Sequence, residues 1–359
     1  MRGRVSLRAL PLACTLLCLG HLPSSLALVP VTPGRARAPL VSRGSWTAGA
    51  SQLRLGPRRR GLLATAQRPG VAGLAARVEG GQLLHAVYSV PDVKQAAEFY
   101  GDCFGMSTSR TNDAGDTFVS FGPDAGGAFF ALKFVASAGE APAGSVVTGA
   151  VLCVPDVEEA LRRAEELGGE VVTPADTVSL LPSLVPDEPM DAPRTEVKRG
   201  VVQDPWGYRV ELLEEAGRRD PVDAVVLSVA DLDASISYYS DSLGMTLHRK
   251  RSLLPIETAL TGRLSYQPSE ADGAVVELRY NYASKDHHAG DATCHFAVAV
   301  PSVTDAVGQL DQDGAPVAEV VSGPGTPLTG VGEQVAIVQV IDGVRVALID
   351  QLEALTAAI

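Results

Sequence analysis

The chain has 359 residues, 46% apolar and 20% charged, which supplies a core and excludes a wholly disordered polymer. Residues 1–78 hold twelve arginines, no lysine and no acidic residue. The remaining 281 residues therefore carry 18 basic against 42 acidic side chains, a net charge of −24. Such an excess argues against nucleic acid and against an anionic membrane surface as partners.

In chain order, Met1–Arg8 is basic and Ala9–Gly20 is apolar but too short to span a bilayer. Small residues Ser24, Ser25 and Ala27 follow, so residues 1–27 are expected to be a signal peptide. Residues 28–78, rich in Arg, Ser, Ala, Pro and Gly, read as a disordered, transit-peptide-like leader. The pair resembles the bipartite leaders that route proteins into plastids; secretion or mitochondrial import are the alternatives. No later run is long and apolar enough to cross a membrane, so the mature form is expected off the membrane. Cys103, Cys153 and Cys294 lack metal spacing and are expected to be free, buried thiols.

One phrase then recurs four times: Val90-Pro91-Asp92-Val93, Val154-Pro155-Asp156-Val157, Val229-Ala230-Asp231-Leu232 and Val300-Pro301-Ser302-Val303. Each copy follows a short apolar run and opens an amphipathic stretch, giving strand, turn, helix. In the first unit, Leu83–Val90 alternates as a strand, and Asp92 with Gln95 caps a helix that ends at Gly105. Strands near Ser107–Thr111, Thr117–Phe121 and Ala128–Val135 complete a βαβββ unit. The second has a strand at Ala150–Val154, a helix closed by Gly168-Gly169, and a last strand Tyr208–Leu213 after the turn Asp204-Pro205-Trp206-Gly207. The third has strands Ala224–Val229 and Ala274–Tyr282, and the fourth Cys294–Val300, Val335–Val340 and Val344–Asp350. Pro174–Val197 reads as an enlarged loop, either a lid or a surface insertion.

Units one and three share Phe99-Tyr100-x-x-x-Phe104-Gly105-Met106 and Tyr238-Tyr239-x-x-x-Leu243-Gly244-Met245, whereas units two and four lack it. The alternation implies a duplicated pair. The fold is therefore expected to be α+β, with four βαβββ modules forming two domains at 80–216 and 220–352.

This organisation, with Leu83-Leu84-His85-Ala86-Val87-Tyr88, Asp204 through Glu214 and Val275-Val276-Glu277-Leu278-Arg279-Tyr280-Asn281-Tyr282, resembles the vicinal oxygen chelate (VOC) superfamily of glyoxalase, bleomycin-resistance and dioxygenase-like domains. Within it, the chain is similar to the two-domain plant glyoxalase I, or lactoylglutathione lyase, type. The resemblance implies paired units curled into open cups, each with ligands on first and last strands around a divalent nickel or zinc ion. That ion would stabilise the enediolate of a 2-oxoaldehyde–thiol adduct while a carboxylate moves the proton.

At the first-strand position the four units carry His85, Gly149, Ala224 and His295; at the last-strand position, Ala131, Glu211, Glu277 and Ala347. The implied metal ligands are thus His85, Glu211, Glu277 and His295, with Glu211 and Glu277 as catalytic carboxylates. If neighbouring units pair, each cup holds one His and one Glu; if unit one pairs with unit four, one cup holds both His and the other both Glu. Either way each cup keeps two ligands, below the usual three. The family's arginines toward the peptide are replaced by Ser89, Ser228, Ser145 and Asp291; Asn281 matches, and Arg279 and Lys133 could supply replacement charge for substrate binding. The expected function is a glyoxalase I-like lyase or isomerase with a degraded ligand set. The alternative is a non-catalytic small-molecule-binding or scaffold protein. Four units in one chain can close both cups, so a monomer is expected.

Overall fold

The computed structural model describes residues 78, 80–122, 129–137, 147–189, 191–283, 295–312, 317–322 and 334–350. The signal and transit leaders, the joints near 138–145 and 284–291, and Cys294 lie outside the described residues. Cys103 and Cys153 are free and buried, as expected. No described helix is long and apolar enough to cross a membrane.

Unit one comprises β1 (Gln82–Val90), α1 (Val93–Phe104), β2 (Ser107–Thr111), β3 (Thr117–Ser120) and β4 (Ala131–Ala136). Unit two comprises β5 (Val147–Val154), α2 (Val157–Glu166), β6 (Glu170–Leu180), β7 (Thr195–Gln203) and β8 (Arg209–Glu214). Unit three comprises β9 (Val222–Ser228), α3 (Leu232–Asp241), β10 (Thr246–Ser252), β11 (Ala259–Ser265) and β12 (Val275–Asn281). Unit four comprises β13 (His295–Val300), α4 (Val303–Gln312), β14 (Val317–Ser322), β15 (Gln334–Gln339) and β16 (Arg345–Asp350). The α+β expectation holds.

The repeated turn acts through its aspartate. Asp92, Asp156 and Asp231 are extended N-caps whose carboxylates accept from the backbone N–H three residues on, at 3.0 Å in each case. Gly105 closes α1 in the left-handed region, φ 81°, where a Cβ would be strained.

Two eight-stranded mixed sheets result. One runs β14-β15-β16-β13-β1-β4-β3-β2 and the other β10-β11-β12-β9-β5-β8-β7-β6. Unit one therefore pairs with unit four, through antiparallel β1 and β13, and unit two with unit three, through antiparallel β5 and β9. Each sheet draws on both halves of the chain.

Period-two alternation divides each sheet into two faces. One face packs on the helices in a single large core that includes Ala86, Tyr88, Val90, Leu152, Leu212 and Leu227. The opposite face lines a cup. Units one and two are also tied by the Asp204 turn. Tyr100 donates to Asp204 Oδ2 at 2.9 Å, Tyr208 stacks on Tyr88 at 4.1 Å, and Ser89 N–H donates to the Tyr208 hydroxyl at 2.8 Å.

The stretch Pro174–Val197 is mostly a hairpin rather than an open loop, because β6 extends to Leu180 and β7 begins at Thr195. Its tip reaches the far edge of the same sheet: Leu184 N–H donates to Lys250 O at 2.6 Å and Lys250 N–H to Val185 O at 3.1 Å. Strands β6 and β10, the two edges, are thus bridged across the cup.

Candidate functional site

In the first cup, β1 sets His85 opposite Ala297 of β13 and beside Ala131 of β4, and Ala297 in turn pairs with Ala347 of β16. Register alone thus aligns both alanine replacements with His85. His85 is 4% exposed and His295 fully buried. His85 Nε2 has no hydrogen-bond partner among the described residues, and its ring meets Phe118 edge-on at 5.2 Å. Burial, then the charge of Lys133, His295 and Arg110, holds the His85 pKa well below its usual 6.5, so the imidazole is neutral.

Lys133, fully buried, lies 2.9 Å from Asp116. Arg110 sits over the Phe118 ring, 4.3 Å from its centre. Phe118 packs with Ala297, Val335, Ile337, Ala347 and Ile349, which makes the rest of this cup apolar.

The second cup is built differently. Glu211 on β8 and Glu277 on β12 are both buried and both held by arginines. Arg199 Nε lies 2.6 Å from Glu211 Oε1, and Arg279 Nη2 lies 3.1 Å from Glu211 Oε2 while also bonding Glu277. Arg263 approaches Glu277 at 3.6 Å and pairs with Asp223 and, at 2.7 Å, Glu270. Glu257, from the β10–β11 connection, joins Arg199, Arg209 and Arg279. Burial alone would raise the Glu211 pKa; Arg279 and Arg199 outweigh it and hold the carboxyl well below its usual 4.5. A small cavity of about 60 Å³ remains here, floored by Val151 and bordered by Leu180, Leu253 and Ile256.

His85, His295 and Lys133 thus share the first cup, and Glu211, Glu277 and Arg279 the second. The four expected metal ligands are divided two and two, as the pairing of unit one with unit four dictates. Asn281 is exposed at the rim, where its side-chain oxygen accepts from Ala283 N–H at 2.9 Å.

The residues that define the second cup, Arg199, Arg251, Arg263 and Glu257, escape a reading confined to first and last strands. Arg199, Arg251 and Arg263 lie within β7, β10 and β11, where Arg249 and Arg251 stand two residues apart on one strand, whereas Glu257 lies in the β10–β11 connection and has no periodic signal.

No group of three or more His, Cys, Asp or Glu among the described residues could hold a metal ion. The first cup offers two imidazoles beside the cations Lys133 and Arg110, and the second offers carboxylates already engaged by guanidinium groups. The donor set does not fit the divalent ion that the resemblance implies.

Residues 82–212 and 222–348 match the family model described as Glyoxalase/Bleomycin resistance protein/Dioxygenase superfamily. The chain is 26% identical over 277 residues to an Arabidopsis thaliana protein named "Probable lactoylglutathione lyase, chloroplastic", covering 76% of this chain and 73% of that one. It is 28% identical over 280 residues to the rice (Oryza sativa subsp. japonica) "Lactoylglutathione lyase", covering 76% and 90%. Among solved structures it is similar to glyoxalase I from Zea mays, with a TM-score of 0.63, 26% identity, and 77% and 95% of the two chains covered.

Proposed function

The chain belongs to the Glyoxalase/Bleomycin resistance protein/Dioxygenase superfamily, and from that premise we propose that it isomerises a small 2-oxoaldehyde–thiol adduct in the His85–His295 cup. The observation that carries this reading is the buried, neutral His85 imidazole, whose Nε2 has no hydrogen-bond partner among the described residues.

A neutral imidazole can take the proton from C1 of the adduct and return it to C2, while the hydroxyl proton passes from the C1 oxygen to the C2 oxygen, leaving the thioester of a 2-hydroxy acid. The negative charge of the enediolate between these steps needs an opposing charge nearby, and Lys133 and Arg110 stand at this cup. Glu211 lies in the other cup, where Arg199 and Arg279 engage both of its carboxylate oxygens.

The test is purified protein with methylglyoxal and glutathione, following S-lactoylglutathione. Turnover is expected to survive dialysis against a chelator and to be lost in His85→Ala. Equal rates for that variant and the wild type would remove the reading.

A second reading is a non-catalytic small-molecule binder, for which the apolar packing around Phe118 would supply the wall. It predicts ligand binding without turnover. A plastid location is supported by the leader composition and by the name of the Arabidopsis relative. Residues 1–78 fused to a fluorescent protein are expected to carry it there; cytosolic fluorescence would count against it.

A further inference from the structure

The second cup contains one charge that the surrounding network leaves over. Arg199, Arg263 and Arg279 each pair with carboxylates, as described above. Arg251 does not: it is 6% exposed, lines the 60 Å³ cavity, and has no ion pair or side-chain hydrogen bond among the described residues. Its position follows from register. Arg251 of β10 stands opposite Thr261 of β11, and Thr261 opposite Arg279 of β12, so the three share the cup face.

Glu188 and Glu270 act on Arg251 without forming an ion pair with it, and its Nε is buried without a hydrogen-bond partner. Such a guanidinium is costly, and an anion in the adjoining space offsets that cost. We propose that this cavity binds a small monocarboxylate, its carboxylate on Arg251 and its short tail against Leu180, Leu253 and Ile256.

Three features select that class. One unbalanced guanidinium matches a single negative charge, and its planar fork matches a carboxylate in two-point contact. Glu211, Glu277 and Asp223 on the same lining engage Arg199, Arg263 and Arg279, which leaves no second positive charge for a dianion such as phosphate. The half-buried aliphatic residues reward a hydrocarbon tail, which chloride lacks. A cup that in related proteins would hold a cation is here organised around an anion.

Isothermal titration of the full-length protein with sodium propionate, at constant ionic strength, tests this. Saturable one-to-one binding is expected, with chloride and inorganic phosphate weaker by about tenfold or more and Arg251→Met weakened by at least about tenfold. Phosphate binding as tightly as propionate, unchanged affinity in the variant, or no saturable binding would each overturn the proposal. Should Arg251→Met not fold, hydrogen exchange of β10 in the wild type serves instead, with slowing by propionate expected and an unchanged rate overturning it. His85→Ala must bind propionate like the wild type, so this site and the proposed isomerase cup stand or fall separately.

Discussion

Arg279 reaches across the seam between the second and third units to Glu211, its Nη2 3.1 Å from the carboxylate, while holding Glu277 of its own strand. One guanidinium thus joins the two acidic positions that the resemblance implies as metal ligands. The carboxylates are spent on stabilising the seam.

Replacing Arg279 with Met should therefore leave two buried carboxylates short of a counter-charge. Removing one partner of a buried pair costs about 3–5 kcal/mol. Urea denaturation of Arg279→Met should show a loss in that range, and a loss below about 1 kcal/mol would mark the network as solvated.

Glu211 and Asp204 should push stability in opposite directions with pH. Arginines hold the folded-state pKa of Glu211 below its usual 4.5, so its contribution is present above that value and lost as pH falls through the folded value. Burial raises Asp204 from 3.8 to about 6, against the pull of its hydrogen bonds to Tyr208, Tyr100, Trp206 and Gly207. Its contribution is complete below 3.8 and is lost as pH rises through about 6, by about 3 kcal/mol at 1.36 kcal/mol per unit. Asp204→Asn should abolish that part of the slope between pH 4 and 6, and Glu211→Gln should flatten the acid limb. Denaturation midpoints across pH 3 to 7 provide the measurement.

Gly149 cannot regain a side chain. A Cβ there would lie 1.7 Å from Arg209 O of the neighbouring strand, and backbone cannot move aside cheaply. Gly149→Ala should destabilise by about 3 kcal/mol or more, beyond ordinary overpacking. A thermal midpoint within a degree or two of the wild type would contradict the close approach of β5 and β8.

The first cup can be tested by restoring what it lacks. Ala131 and Ala347 flank the His85–Ala297 pair in the same row. Ala131→Glu with Ala347→Glu would present two imidazoles and two carboxylates. This double variant should retain about one nickel ion per chain through dialysis, in keeping with the three to four protein ligands such sites use. Metal analysis showing no gain over the wild type would mean that the side chains at these positions do not converge.

The amino-acid sequence by itself determined the four units, because their signals are local: an aspartate cap on its own helix, a glycine at a left-handed turn, alternation along a single strand. It also placed His85, Glu211, Glu277 and His295 on strand positions that the structure assigns to the cup faces. It left the partnership of units open, since β1 and β5 are similar apolar strands and nothing local tells either which distant edge to join. Only the tertiary structure put both histidines in one cup and both glutamates in the other, by pairing β1 with β13 and β5 with β9. The arginine cluster was decided there too. Arg199, Arg251, Arg263 and Arg279 come from four strands, and an ion pair depends on distance in space, which a linear chain does not carry.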